Sequence, residues 1–534
     1  MENNITDTLK KEVQRRKTFA IISHPDAGKT TLTEKLLLYG GAIRLAGTVK
    51  ARKASSYAVS DWMEIEKQRG ISVTSSVMQF IYNDYCINIL DTPGHQDFSE
   101  DTYRTLVAAD SAVMLIDGAK GVEAQTIKLF HVCKMRGIPI FTFVNKMDRA
   151  SKDPFELMEE IENVLGIRSF PMNWPIGTDG DFKGVYNRKL EQIELFEGGN
   201  HGQKAVNSIK GSVDDPAFAD LLGEHYHNKL MEDIELLDLA GDEFDRKKVM
   251  HGELTPMFFG SAMTNFGVQP FLEEFLNLAP APGIRVSDSG EVDPEDDKFT
   301  GFVFKVQANM NPTHRDRIAF IRICSGRFER GMSVYHVQEG KEIKLAQPQQ
   351  FMAQERAIVE EAYPGDIIGV FDPGIFKIGD TLCSSSKKIK FEGIPIFPAE
   401  FFARVSPIDS MKRKQFVKGI NQLSEEGAIQ VFKQVDIGME TLVIGAVGAL
   451  QFEVLEHRLK NEYGVDLRIN SLPLRFARWL DESIEDPKKL NLTSSTMIVQ
   501  DNSERFVLLF ENEWSIRWAE DRNKNLVLKD IAQK

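Results

Sequence analysis

The run Ser23-His24-Pro25-Asp26-Ala27-Gly28-Lys29-Thr30 follows the apolar stretch Phe19 to Ile22 and opens an amphipathic pattern, which is the setting of a phosphate-binding loop. In such a loop, successive backbone N–H groups and the positive end of the next helix surround a β-phosphate. Lys29 then reaches the β- and γ-oxygens, and the Thr30 hydroxyl ligates Mg2+. Gly28 lets the backbone approach closely. Ser23 stands where the common pattern begins with Gly, so this turn must form with a side chain present.

A phosphate loop alone names no base. Ile87 to Leu90 reads as a buried strand running into Asp91-Thr92-Pro93-Gly94-His95, where a carboxylate can hold a water on Mg2+ and the Gly94 N–H can meet a γ-phosphate. A further apolar run, Ile138 to Val144, delivers Asn145-Lys146-Met147-Asp148. A carboxylate at Asp148 accepts both donors of guanine's Watson–Crick edge, N1–H and the exocyclic amine, whereas adenine offers no such pair. The bound nucleotide is therefore GTP or GDP. Asn145 should tie the loops together beside guanine N7, with the Lys146 stem against the base face. After the run Pro256 to Gly260, Ser261-Ala262 reads as the last base-contacting loop, the Ala262 N–H directed at guanine O6.

These loops need a sheet to hold them. Residues 18–148 alternate strand and helix in the manner of a mostly parallel sheet covered on both faces. Ligands of such sheets bind outside the carboxyl ends of the strands. Helices are predicted over Lys29 to Leu38, Glu123 to Met135 and Phe155 to Leu165, the last begun by Asp153-Pro154 and stopped by Gly166. Leu45 to Gly70 is polar, with little periodicity, and reads as a mobile switch segment. About a hundred acidic, mixed residues then interrupt the sheet before Pro256. The helix Val268 to Leu278 ends at Pro280-Ala281-Pro282, and the acidic linker Asp288 to Asp297 follows.

From Gly301 to about Lys390, short runs of Val, Ile and Phe broken by Gly and Pro suit a β-barrel, most clearly at Ile318 to Ser325, Ser333 to Val337 and Asp366 to Val370. Beyond Pro398, Glu400 to Val405, Ile408 to Leu423, Ile429 to Gln434, Leu442 to Val447, Leu450 to Tyr463 and Val465 to Ile469 follow a β-α-β-β-α-β order, a ferredoxin-like unit. The expected fold class is an α/β P-loop GTPase domain with an inserted subdomain, then a β-barrel and a ferredoxin-like α+β domain. The corresponding bounds are 1–285, with the acidic insert at about 166–255, then 298–392, then 397–534 with a C-terminal extension.

Composition agrees with this division, since 534 residues suggest about three domains. At 42% hydrophobic and 27% charged, the chain has no large-scale disorder signature. Cys86, Cys133, Cys324 and Cys383 lack close pairing or metal spacing, which favours reduced core thiols in the cytoplasm. Met1 to Lys17 is polar without an apolar signal core, and no stretch is apolar enough to span a bilayer. Residues 151–300 hold 30 acids against 13 bases, a net of −17 in a chain of net −14, so the rest carries +3. The acidity peaks between Asp214 and Asp245, where eleven acids face only Lys229. This is either a solvated helical face or a docking surface for a basic protein. The near-neutral remainder can approach RNA without a large repulsive field.

Together these residues resemble the GTPases of protein synthesis, most closely the bacterial peptide-chain release factor 3 family. The resemblance rests on Ser23 to Thr31, Ser60 to Ser76, Asp91 to Asp97, Asn145 to Asp148, Arg317 to Met332 and Leu442 to Asp466, and it covers nearly the whole chain. It implies that Thr31 belongs to the nucleotide-binding set and that Ser72 stands where the family's switch Thr binds Mg2+ beside Thr30 and Asp91. His95 is then the catalytic residue that orients the attacking water, and the resemblance leaves open whether Asp26 helps to hold a monovalent cation. The implied activity is ribosome-stimulated hydrolysis of GTP in translation termination, ejecting class I release factors after peptide release. Implied partners are the ribosome, through ribosomal RNA and a basic stalk protein, and class I release factors, with no membrane and no DNA, and with the chain a monomer. Elongation factor G shares the insert but has a further projecting domain for which this chain has no room. A GTP-dependent scaffold that scarcely hydrolyses is the rival reading from another class. An ATP-using phosphotransferase is opposed by Asp148, and a tetracycline-resistance ribosomal protection protein would need further C-terminal domains.

Overall fold

The computed structural model describes residues 2–43, 74–177, 181–196, 208–240, 243–308, 317–345, 348–352, 355–394, 398–434, 442–481, 483–484, 486–524 and 526–529. The stretch Leu45 to Gly70 and Ser72 lie outside the described residues.

The apolar run before the phosphate loop is the centre of a longer strand, β1 (Arg16–Ser23), buried along its whole length. Phe19 and Ile21 point into one interior and Ala20 and Ile22 into another. Burial on both faces is why the run is continuously apolar instead of alternating. The neighbouring strands are β2 (Ser76–Tyr82), β3 (Tyr85–Asp91), β4 (Ser111–Asp117), β5 (Ile140–Asn145) and β6 (Arg168–Pro171). The chain then leaves the sheet through β7 (Asn173–Ile176), β8 (Gly184–Asn187), β9 (Gln192–Phe196) and β10 (Ser208–Ser212), and returns with β11 (Leu254–Phe259). The main sheet has the order β2-β3-β1-β4-β5-β11-β6 and is parallel except where β2 pairs with β3. The carboxyl ends of β1, β3, β5 and β11 therefore share one edge. The helix Pro154–Leu165 begins and ends as its sequence dictates: the Asp153 side chain accepts the Phe155 N–H, and Gly166 closes it in the left-handed conformation.

The insert is a four-stranded antiparallel sheet, β10-β9-β8-β7, carrying the helices Pro216–Leu222 and Glu224–Ala240. Most of its acids are exposed, but Asp233 is not: its Oδ2 accepts the indole N–H of the fully buried Trp174 at 3.0 Å. That carboxylate belongs to the packing of the insert and not to its surface.

The barrel is an antiparallel sheet of eight strands with a small two-stranded ribbon. Its nine-residue strand Thr300–Ala308 is not among the clearest strands in the sequence, because Lys305 and Gln307 interrupt its apolar pattern. Both side chains are buried, and Lys305 faces the nucleotide domain, where its Nζ meets the Ser75 backbone oxygen and, at 3.0 Å, Ser75 Oγ. The sequence likewise gives no sign of the helix Glu2–Gln14, which brings Glu12 against Arg15 and Arg16.

In the third domain the strands Phe401–Pro407, Gln430–Gln434, Leu442–Ala446 and Leu467–Leu472 alternate with the helices Arg413–Glu425 and Leu450–Tyr463. Their order places the first and fourth strands side by side, as a ferredoxin-like unit requires. The C-terminal extension continues the same sheet: Lys433 and Gln434 pair with Gln500 and Val499, and three more strands follow outward. All four cysteines are free and buried, and burial pushes the Cys133 thiol up to about 12. Among the described residues no helix is long and apolar enough to cross a membrane.

Candidate functional site

Four loops meet at the carboxyl edge of the main sheet, and one side chain joins three of them. Asn145, the last residue of β5, donates through Nδ2 to the Ala27 carbonyl at 2.8 Å and accepts the Ala262 N–H through Oδ1 at 2.9 Å. The phosphate loop, the Asn145 loop and the Ser261-Ala262 loop are thereby clamped together. The Ala262 N–H, expected to be directed at guanine O6, is taken up by this clamp instead. Gly28 completes the junction at φ +99°, and a Cβ there would lie 2.3 Å from Asn145 Nδ2. No side chain fits between the two.

Lys29 opens the helix Lys29–Tyr39 and is nearly buried, with its Nζ 2.5 Å from Asp91 Oδ1 at the end of β3. Either charge alone would be costly there, and pairing keeps both in place. Thr30 follows on the first helical turn, half-buried. Thr92 is fixed by its hydroxyl on the Ile21 carbonyl at 2.7 Å, which locks the segment after β3 onto β1. The next residues, Pro93 and Gly94, approach the phosphate loop, and a Cβ on Gly94 would stand 3.6 Å from Pro25 Cα. Ser23 is buried, with no hydrogen-bond partner for its Oγ among the described residues.

On the base side, Lys146 takes up φ +71° and reaches back over the phosphate loop, donating to the Asp26 carbonyl and to Asp117 Oδ2, each at 2.6 Å. Asp117 had drawn no role from the sequence, although its place at the carboxyl end of β4 was a usable signal. Burial raises its pKa, but the Lys146 ammonium and the Ala119 and Lys120 N–H groups outweigh that and hold the carboxyl below the ordinary range. Met147 is fully buried beneath the loop and donates its N–H to the Gly260 carbonyl at 3.2 Å. Asp148 Oδ1 is buried and has no hydrogen-bond partner among the described residues. An acceptor left bare in this way costs about 1–3 kcal/mol unless a donor arrives.

His95 lies past Gly94 with its imidazole about one-third exposed. Its Nδ1 accepts the Asp97 N–H at 3.2 Å and lies 3.4 Å from Asp97 Oδ1. Its ring stands 6.2 Å from that of Phe98.

The family model described as the Elongation factor Tu GTP binding domain matches residues 14–281. That described as Elongation factor G domain 2 matches 298–385, and that described as the Class II release factor RF3, C-terminal domain, matches 391–520. The Peptide chain release factor 3 of Symbiobacterium thermophilum is 62% identical over 527 residues, covering 99% of both chains. This chain belongs to the peptide chain release factor 3 family. The relative from Trichodesmium erythraeum is 54% identical over 532 residues, 100% of this chain and 98% of its own, and that from Listeria innocua is 54% identical over 537 residues, 99% and 100%. A crystal structure from Thermus thermophilus superposes with a TM-score of 0.69 at 22% identity, covering 91% of this chain and 72% of its own, a likeness of fold alone. As a member of the release factor 3 family, the chain is a guanine-nucleotide-binding GTPase of translation termination.

Proposed function

We propose that this GTPase is activated by the ribosome and uses GTP hydrolysis to dissociate class I release factors after the finished peptide has left. The observation that carries the nucleotide reading is the bare, buried Asp148 Oδ1 beside a clamp that joins three loops. Guanine N1–H and its exocyclic amine are the donors such a carboxylate lacks. The Lys29–Asp91 pair supports the same reading at the other end of the site. Lys29 would exchange Asp91 for the β- and γ-phosphate oxygens, so that its charge is never left bare. Thr30, Asp91 and Ser72 would hold Mg2+, which when bound screens the charge on those oxygens. The loop N–H groups from Asp26 to Thr31 and that of Gly94 would surround the phosphates, and His95 would place the attacking water. With catalysis built mainly on positioning, the free protein turns over slowly, and a macromolecular activator supplies about 10³- to 10⁵-fold.

The partners follow from the family and from charge. The insert's helix Glu224–Ala240 exposes Glu232 and Glu235 alongside Leu236, 52% exposed, and Leu239, 77% exposed. Acids interleaved with bare leucines suit a basic, partly apolar protein surface, and the ribosomal stalk protein is the partner of that character. The near-neutral remainder would approach ribosomal RNA, and the protein would act as a cytoplasmic monomer. The deciding experiment measures GTP turnover with and without ribosomes carrying a bound class I factor, for the natural chain and for His95→Ala. The variant is expected to keep its GDP affinity and lose most of the stimulated turnover. A His95→Ala protein stimulated as strongly as the natural one would take the attacking water away from His95, and a natural chain that ribosomes fail to stimulate would leave the scaffold reading in its place.

A further inference from the structure

Asp97 faces two domains at once. On one side its backbone N–H holds His95 Nδ1 at 3.2 Å, with its own Oδ1 3.4 Å from the same nitrogen. On the other side its Oδ2 accepts the Leu450 N–H at 2.7 Å, across a sequence separation of 353 residues. Leu450 is the first residue of the helix Leu450–Tyr463, whose N-cap is Ala449 and which has no side-chain cap of its own. The N–H groups of a first helical turn lack intrahelical partners, and negative charge is favoured there. Asp97 therefore caps a third-domain helix from the nucleotide domain. The approach is close, because a Cβ on Gly448 would lie 2.0 Å from Asp97 Cγ.

The support of His95 is built on that same side. Its polar contacts among the described residues are both with Asp97, and its ring packs beside Phe98. Phe98 lines a cavity of about 60 Å³ at the junction of the three domains, with Leu423, Ala428, Val454 and Leu455 across from it. Two helical turns on, Arg104 donates to the Gly427 carbonyl at 3.1 and 3.2 Å, a second anchor between the same two domains. Rotating the imidazole out of its present orientation breaks the contact of Nδ1 with Asp97.

We propose that Asp97 is a positioning residue through which the docked helix Leu450–Tyr463 holds His95 in a resting orientation, so that movement of the third domain frees the histidine and accelerates hydrolysis. This rests on the assignment of His95 as the residue that places water. It supplies a physical route by which a partner pulling on the third domain raises turnover at a site the partner does not touch. Helix docking and the resting orientation of His95 form one two-state element.

The test uses the full chain with Gly448→Ala, which crowds the Asp97 carboxylate from the third domain and leaves every nucleotide loop unaltered. Ribosome-free kcat for GTP is expected to rise at least fivefold with KM unchanged, and the stimulation by ribosomes to fall by a similar factor. Asp97→Ala should give the same rise. Asp97→Asn, whose amide oxygen can still accept the Leu450 N–H, should stay within about twofold of the natural rate. Adding His95→Ala to Gly448→Ala should remove the gain. GDP affinity and melting temperature identify any variant that fails to fold, and Asp97→Ala decides if Gly448→Ala does. Folded Gly448→Ala and Asp97→Ala proteins with unchanged ribosome-free kcat would overturn the coupling. Failure of the His95 reading is seen separately, as His95→Ala alone leaving stimulated turnover intact.

Discussion

The Arg322 guanidinium of the barrel lies 2.5 Å from the Asp110 carboxylate of the nucleotide domain, with the arginine 1% exposed. Asp110 is the residue just before β4, and its backbone N–H donates to the Thr18 carbonyl of β1 at 2.9 Å, so the barrel is fastened close to the strands that position the phosphate loop. Arg322 also reaches the Gly365 carbonyl at 2.5 Å. Truncating one member of a buried pair typically costs about 3–5 kcal/mol, because its partner is left charged and bare. Arg285 Nη2 stands 3.3 Å from Asp110 Oδ1 and softens the loss on that side. Arg322→Met should therefore lower the urea midpoint markedly, and Arg322→Met with Asp110→Asn should cost less than the two singles combined. A double-mutant cycle that adds to within about 0.5 kcal/mol would show the two residues to be energetically independent.

Gly28→Ala meets two obstacles at once. The position sits at φ +99°, strained for any residue with a Cβ, and the new atom would fall 2.3 Å from Asn145 Nδ2. Asn145 must then release the Ala27 carbonyl, and the clamp that spans three loops opens. We expect about 1–3 kcal/mol of destabilisation and a loss of at least tenfold in GDP affinity, read by titration with a fluorescent nucleotide. Unchanged affinity would mean that the clamp is not needed to shape the site.

Much of the nucleotide edge was legible because strand, turn glycine and loop polar residues lie next to one another in the chain. Ile87 to Leu90 announces β3 and Asp91 its end, and the order of the motifs places them on one sheet edge. Lys305 illustrates what was not legible. A lysine in an apolar run reads as an exposed strand position, and only the docked neighbouring domain gives it the partner Ser75, 230 residues away. Asp233, one of the acids between Asp214 and Asp245, is hidden for the same reason, since its partner Trp174 lies in another element of the insert, 59 residues away. Asp97 stood within a motif, yet its bond to Leu450 is a product of domain docking. Partners distant in sequence leave no periodicity to detect.

Lys17 predicts a pH dependence. Its Nζ donates to the Ala279 carbonyl at 2.7 Å in a buried setting, where desolvation and then the Arg246 charge, opposed by Asp110, lower its pKa to about 8. In the unfolded chain a lysine titrates near 10.4. Between about pH 8 and 10.4 the unfolded state thus holds a proton that the folded state has released, and this group makes stability rise with pH. Below that window both states are protonated and the cost of burying the charge is constant. Comparing the natural chain with Lys17→Met cancels the other titrations. The natural chain should gain about 1–3 kcal/mol on the variant between pH 8 and 10 by urea denaturation, whereas a difference that stays flat with pH would contradict the lowered value.

Asp148→Asn tests the base site directly. The buried Oδ1 is the acceptor that guanine's N1–H and exocyclic amine require, and an asparagine replaces one carboxylate oxygen with a donor. That donor opposes guanine's amine but meets the 2-carbonyl of xanthine. Losing a hydrogen bond to a charged acceptor and gaining a donor clash should cost about 2–3 kcal/mol in GTP affinity, roughly a hundredfold. Xanthosine triphosphate should bind the variant more tightly than GTP does. Competition titrations of both nucleotides against natural and variant protein read the exchange, and a variant that still preferred guanosine would place the base elsewhere than on Asp148.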